Sequence, residues 1–242
     1  MAWFFTQDEI QGDEYLVTGE DSRHIEKSLR MRQGEELTLV TPKGVEHTCT
    51  IQGFTQEGVC VRVTESAPCN REPEMSVTLY QSLVKGDKMD MIIQKSVELG
   101  VVRIVPVITE RCVSRPDEKS LSKKRDRWQK IALGAAQQSC RGVVPCVDEA
   151  MTLTDALRDS FDNDMTLIFY EGGGESLRSL MKREVSSLGI FVGCEGGFDI
   201  SEVEAAVAQG AETATLGKRI LRAETAPLAA LAAIMCLAGD MD

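Results

Sequence analysis

Gly193-Cys194-Glu195-Gly196-Gly197-Phe198 and Leu216-Gly217-Lys218-Arg219-Ile220-Leu221-Arg222-Ala223-Glu224-Thr225-Ala226 are the two stretches whose reading decides the fold of this chain. Each follows an apolar run, 188–192 and 214–216, and each precedes a helical pattern. An apolar run, a glycine-containing turn and then a helix describe a buried strand that delivers the chain to the end of a parallel sheet. Two such turns side by side build a small-molecule pocket there. Neither is a dinucleotide fingerprint or a P-loop, because no G-x-G-x-x-G and no G-K-[S/T] occurs.

The two turns differ in chemistry. Gly193, Gly196 and Gly197 let the backbone approach a ligand or adopt positive φ. Glu195 stands where a phosphate site would carry a cation. A carboxylate there suits a cationic or hydrogen-bond-donating ligand, such as an amine, a ribose hydroxyl or a sulfonium; a plain tight turn with Glu195 on the surface is the alternative. The second turn mixes Lys218, Arg219 and Arg222 with Ile220 and Leu221. Arg219 and Arg222 either face a ligand or pair with Glu224 or another carboxylate. Thr225 is a suitable N-cap and Pro227 a suitable first-turn residue for a helix over 226–238. That helix is apolar nearly all round, so it is buried in the domain or in a subunit contact.

Outward from these turns the pattern keeps alternating. Strands are expected at 77–84, 101–108, 143–147 and 165–170, and helices at 88–99, 119–140, 154–159 and 175–186. Ser201-Glu202-Val203-Glu204 matches a capping box for one more helix. Repeated strand–helix units predict an α/β domain with a parallel sheet covered on both faces. Residues 1–70 read differently, with alternating strands at 36–41, 45–51 and 59–63 and a helix over 22–31, which suggests a small β-barrel. Two prolines in 66–73 mark that stretch as a linker, placing a second domain over 74–242.

Composition narrows the function. The net charge of −11 argues against a generic nucleic-acid binder. The balance is −6 over residues 1–70, +4 over 71–130 and −9 over 131–242. The basic middle is densest at Lys119, Lys123, Lys124, Arg125, Arg127 and Lys130, beside Trp128. Such a helix either follows a phosphate backbone or is a solvated face. The eight cysteines form no C-x-x-C pair and there are only two histidines, so a metal site is not expected. Reduced cysteines in a cytoplasmic protein are the expectation, and no apolar run is long enough to span a membrane.

Further motifs extend the picture. Lys85-Gly86-Asp87-Lys88-Met89-Asp90, Gln94-Lys95-Ser96-Val97-Glu98-Leu99-Gly100-Val101, Arg127-Trp128 and Ala135-Ala136-Gln137-Gln138-Ser139-Cys140-Arg141 occur in order before the two turns. Phe4-Phe5 and His24-Ile25-Glu26-Lys27-Ser28-Leu29-Arg30-Met31-Arg32-Gln33-Gly34 precede them. Together with the turns, these resemble the 16S ribosomal RNA uridine-N3 methyltransferases, the RsmE family of the SPOUT superfamily, over nearly the whole chain. The chain departs from that pattern at Cys194, where the family usually has Pro, and at Ala223, where Thr is common.

The resemblance implies a PUA-like RNA-binding domain, a SPOUT domain with a C-terminal trefoil knot, and a homodimer. It implies S-adenosylmethionine as cofactor and 16S ribosomal RNA in the small ribosomal subunit as substrate. It places the cofactor against three loops, through Tyr170 and Glu171, through Gly193, Glu195, Gly196 and Gly197, and through Leu216, Gly217, Ile220 and Leu221. Arg222 and Glu224 are the candidate catalytic pair. Arg23, Arg30, Arg32, Lys123, Lys124 and Arg127 are the candidate RNA contacts. A SPOUT enzyme acting on a ribose 2′-hydroxyl or another base, or a non-catalytic RNA-binding protein, are the alternatives.

Overall fold

The computed structural model describes residues 2–241. The chain divides into two units, one running to Glu72 and taking in Ala136–Val143, the other made of Pro73–Ala135 and the chain from Val144 onward.

The N-terminal unit contains β1 (Trp3–Phe5), β2 (Glu14–Val17), α1 (Gly19–Arg23), β3 (Glu36–Val40), β4 (Val45–Phe54) and β5 (Val59–Pro68). The sheet order is β1-β3-β4-β5-β2. β1 joins β3 in parallel and the other pairs are antiparallel, forming a half-barrel. Alternation along the strands sends Leu37, Leu39, Cys49, Ile51, Val59 and Val61 inward around Ile25. The helix expected over 22–31 starts earlier: α1 begins at Gly19 and passes into a π-helical turn, His24–Ser28. It stops because Arg30 takes a left-handed φ of 54°.

The expected linker is not free chain. β5 continues to Pro68, and the Cys69 amide donates to the Gly44 carbonyl at 2.8 Å. Glu72 accepts from Arg141 Nε at 3.1 Å and from the Gly142 amide at 2.8 Å. The Arg141 side chain is only 4% exposed, so this charge is buried with its partner. The Trp3 indole donates to the Arg141 carbonyl at 2.9 Å. These contacts join residues far apart in sequence, which is why 136–143 belongs to this unit although local pattern assigned it elsewhere.

The larger unit runs β6 (Ser76–Ser82), α2 (Lys88–Glu98), β7 (Arg103–Ile108), α3 (Glu118–Gln138), β8 (Cys146–Val147), β9 (Met151–Thr152), α4 (Leu153–Asp159), β10 (Met165–Phe169), β11 (Glu175–Ser176), α5 (Leu177–Leu180), β12 (Ser187–Val192), α6 (Ile200–Ala208), β13 (Glu212–Thr215) and α7 (Ala226–Ala238). The sheet order is β11-β13-β10-β12-β6-β7-β8, with β9 beside β7. Every pairing in it is parallel. All five residues of β10 are buried, as a sheet covered on both faces requires. Tyr80 stacks on Phe191 at 4.4 Å between ring centroids. Phe198, Val203 and Ala206 extend this core onto α6.

Three local expectations change. The helix expected over 175–186 is only a single turn, α5, preceded by β11. Gly174 runs so close to β13 that a Cβ there would sit 2.7 Å from the Thr213 carbonyl, so the chain joins the sheet edge. The strand expected over 143–147 shortens to two residues, flanked by Gln129, which donates to the Pro145 carbonyl at 3.0 Å and accepts from the Val147 amide at 2.9 Å. The capping box opens at Asp199, not Ser201: Asp199 accepts from the Ser201 amide at 3.1 Å, and Glu202 accepts from the Asp199 amide at 2.9 Å. No helix among the described residues is long and apolar enough to cross a membrane.

Candidate functional site

β13, β10 and β12 are neighbours in the sheet and parallel, so their C-terminal ends lie side by side. The chain leaving each end helps wall one cavity of about 480 Å³. Tyr170, Glu171, Gly193, Glu195, Gly196, Gly197, Leu216, Gly217, Ile220, Leu221, Arg222 and Glu224 all line it. The structure thus brings every candidate cofactor and catalytic position to one place.

The turn after β12 is closed by the Gly197 amide donating to the Cys194 carbonyl at 2.9 Å. Gly197 has φ of 66°, a region that penalises any side chain. A Cβ at Gly193 would lie 3.1 Å from the Gly197 backbone, tighter than ordinary contact, so the two glycines bring these backbones close where the chain folds back. Cys194 is 5% exposed, and its thiol points to the Gly197 carbonyl at 3.8 Å, inside the same turn. The fully buried Gln81 of β6 donates to the Val192 and Gly193 carbonyls at 3.4 and 3.3 Å, fixing where the turn departs. Arg111 braces it from outside, donating to the Gly196 carbonyl at 3.1 Å and pairing with Asp199 at 3.0 Å.

In the turn after β13, Thr215 Oγ1 accepts from the Gly217 amide at 3.2 Å, and Gly217 has φ of 99°. Ile220 is 86% exposed on the cavity wall, an unusual setting for a large aliphatic side chain. The Arg222 carbonyl then accepts from the amides of Thr225 and Ala226, both at 2.9 Å, which turns the chain into α7.

Electrostatics centre on Lys88, at the start of α2. Its Nζ lies 3.3 Å from Glu195 Oε1 and 3.0 Å from Glu224 Oε2. Glu195 also accepts from the Lys85 amide at 3.1 Å. Burial pushes the Glu195 carboxyl up, but backbone amides and Lys88 outweigh it and hold the group below its ordinary range. The Lys88 ammonium holds Glu224 below its ordinary range too, and the two carboxylates in turn raise Lys88, Glu224 most. All three groups are therefore charged at neutral pH. Arg222 is exposed, and its guanidinium forms no hydrogen bond or salt bridge among the described residues. The expected alternative, an Arg222–Glu224 salt bridge, is not formed; Lys88 takes that carboxylate, and the Arg222 charge acts on it only through space.

Lys88 was legible only as part of a turn-and-helix motif, because its partners lie more than a hundred residues away in sequence. Phe169, Val192, Ala214 and Thr215 also line the cavity, as ends of strands. No histidine lines it, and no group of three or more His, Cys, Asp or Glu among the described residues is placed to hold a metal.

The candidate RNA contacts fall in two regions. Arg23, Arg30 and Arg32 are exposed in the N-terminal unit, and Arg23 shares a groove with Lys27 and the 39% exposed Phe54. On α3, Lys123 is exposed and Lys124 lies over the Trp128 ring at 6.0 Å. Arg127 pairs with Asp90, and the Trp128 indole donates to the same carboxylate at 3.1 Å.

The profile of the RNA methyltransferase domain matches residues 71–235, and that of the RNA methyltransferase PUA domain matches 17–64. The chain is 38% identical over 229 residues to ribosomal RNA small subunit methyltransferase E of Bacillus subtilis, covering 91% of this chain and 89% of that one. It is 34% identical over 211 residues to the protein of the same name from Mesomycoplasma hyopneumoniae, covering 80% and 92%. It superposes on the crystal structure of a ribosomal RNA small subunit methyltransferase E from Neisseria gonorrhoeae bound to S-adenosyl methionine, with a TM-score of 0.88 and 34% identity over 98% of both chains. The three-turn cavity and the half-barrel before it thus sit in a chain that belongs to the RNA methyltransferase family of the small-subunit ribosomal RNA methyltransferases E.

Proposed function

We propose that this chain transfers the methyl group of S-adenosylmethionine to N3 of a uridine in 16S ribosomal RNA, acting on the small ribosomal subunit. One observation carries the reading: the chain leaving three adjacent parallel strands converges on one cavity whose wall combines glycine backbone, apolar side chains and charged groups. Its volume of about 480 Å³ lies within the roughly 300–1,000 Å³ of small-molecule sites. Gly193 and Gly197 leave backbone exposed where a Cβ would intrude, and Ile220 offers apolar surface for a planar ring. Glu171 and Glu195 suit hydroxyl, amine and cationic groups. These residues fit the cofactor, which when bound supplies a methyl group on a sulfonium sulfur.

The chain's own residues do the rest. Tyr170, Glu171, Gly193, Glu195, Gly196, Gly197, Leu216, Gly217, Ile220 and Leu221 bind and orient the cofactor. Arg222, a cation with no hydrogen-bond or salt-bridge partner among the described residues, stabilises the negative charge that develops on the uracil oxygens as N3 gives up its proton to solvent water before attacking the methyl group. Glu224 is kept ionised by Lys88, which makes it a weak base; its part is to pair with Lys88 beside Arg222. The N-terminal half-barrel, with Arg23, Arg30 and Arg32, and the α3 cations Lys123, Lys124 and Arg127 contact the RNA.

The chain works in the cytoplasm as a homodimer through α7, where Leu237 and the following Met241 are 41% and 55% exposed beside an otherwise buried apolar face. A knotted C-terminal segment is part of this reading through the family resemblance. The test is incubation with labelled S-adenosylmethionine and small subunits from a strain lacking the enzyme, followed by mass spectrometry of digested RNA. Label on uridine N3 is the expected result; label on a ribose oxygen or another base overturns the assigned target.

A further inference from the structure

A lysine at the start of a helix is on the wrong end of the helix dipole, where an anion is favoured. Lys88 occupies that place in α2, directly after the N-cap Asp87. What holds it there is a pair of carboxylates from two segments that are far apart in sequence. Glu195 belongs to the turn after β12, and Glu224 to the segment that enters α7. The two are not equally secured. Glu195 also accepts from the Lys85 amide at 3.1 Å, so it is anchored independently. Glu224 Oε2 is buried and has no directed hydrogen bond, so the ammonium 3.0 Å away is what holds that oxygen. Arg222 lies two residues before Glu224, on one turn closed by the Thr225 and Ala226 amides donating to the Arg222 carbonyl.

We infer that Lys88 is a positioning residue for methyl transfer: by gripping Glu195 and Glu224 together, it sets where Arg222 stands relative to the turn after β12. The inference rests on the assignment of Arg222 to the reacting base made above. Lys88 itself lines the cavity; in this role it acts through Glu224. The geometry favours an ammonium over a guanidinium only weakly, since a cation shared by two carboxylates is what it asks for.

The test compares Lys88→Met, Lys88→Gln and Lys88→Arg with the wild type, each assayed for methylation of small subunits and for S-adenosylmethionine binding by calorimetry. Lys88→Met and Lys88→Gln should lower kcat about a hundredfold, the scale of a misplaced catalytic group, with a much smaller change in cofactor affinity. Lys88→Arg should recover most of the loss. The double variant Lys88→Met/Glu224→Gln should be no slower than the poorer single variant, because both break the same ion pair. Wild-type kcat in Lys88→Gln, or losses that add in the double variant, overturns the inference. If Lys88→Met fails to fold, the Gln and Arg variants decide alone. A wild type that methylates no RNA sinks the functional reading itself, which the parallel assay shows separately.

Discussion

The carboxylate of Glu171 stands where a side chain at Gly197 would begin: a Cβ on Gly197 would come within 2.5 Å of Glu171 Oε1. The carboxylate is the free end of a flexible side chain and could turn aside, so what binds glycine to this position is its left-handed φ of 66°. Gly197→Ala would displace that carboxylate and hold a side chain on a left-handed backbone, the latter costing about 1–2 kcal/mol. The turn should open, and S-adenosylmethionine affinity should fall roughly tenfold or more. Calorimetric titration of the variant checks this, with thermal unfolding as the control for global stability.

Arg222→Ala removes the cation assigned to the developing negative charge. Its kcat should fall by about 10²–10³, the range for losing one preorganised donor, with cofactor affinity nearly unchanged. Single-turnover methylation beside calorimetry separates the two. A kcat near that of the wild type would show that Arg222 takes no part in the chemistry.

Asp164 brackets the starts of two neighbouring strands. Its carboxylate accepts from the Ser186 hydroxyl at 2.8 Å and from the Ser186 and Ser187 amides, both at 2.9 Å. These donors pull its pKa from the ordinary 3.8 down to about 2. A folded-state value below the unfolded one means a contribution to stability that is complete above pH 3.8 and lost as pH falls through about 2. Asp164→Asn should therefore melt below the wild type at neutral pH, and the gap should close as the pH approaches 2. Melting curves across that range read it directly.

On α3 the structure separates the cations that the sequence grouped. Arg127 is engaged by Asp90, which also takes the Trp128 indole, so reversing its charge would damage packing as well as any RNA contact. Lys123→Glu/Lys124→Glu is the cleaner variant. It should weaken binding to small subunits and flatten the dependence of affinity on salt, since a surface that neutralises fewer phosphates releases fewer counterions. An unchanged salt slope would make this helix a solvated face.

Most of the large domain was legible because its strands are buried on both faces and its turns carry glycine. The 226–238 helix was read with its observed ends from Pro227 and an apolar run, but Thr225 is not the expected cap: its backbone is already helical (φ −91°, ψ −36°) and its side chain makes no capping hydrogen bond. The 175–186 segment was not, because what makes Glu175 and Ser176 a strand is β13, a partner that follows it in the chain. The same holds for Glu72 and Arg141, whose ion pair, with the arginine buried, ties the residues at the end of α3 to the N-terminal unit.

The sequence by itself determined that two glycine turns end parallel strands, that Glu195, Arg222 and Glu224 stand in them, and which family they resemble. Those properties are local: glycine permits a backbone, and charge follows residue type. Only the tertiary structure decided which charge meets which. The sequence left open whether Arg222 faces a ligand or pairs with Glu224 or another carboxylate. Glu224 pairs with Lys88, because the fold of the parallel sheet brings the start of α2 to the same cavity and leaves the guanidinium of Arg222 without a hydrogen-bond or salt-bridge partner among the described residues.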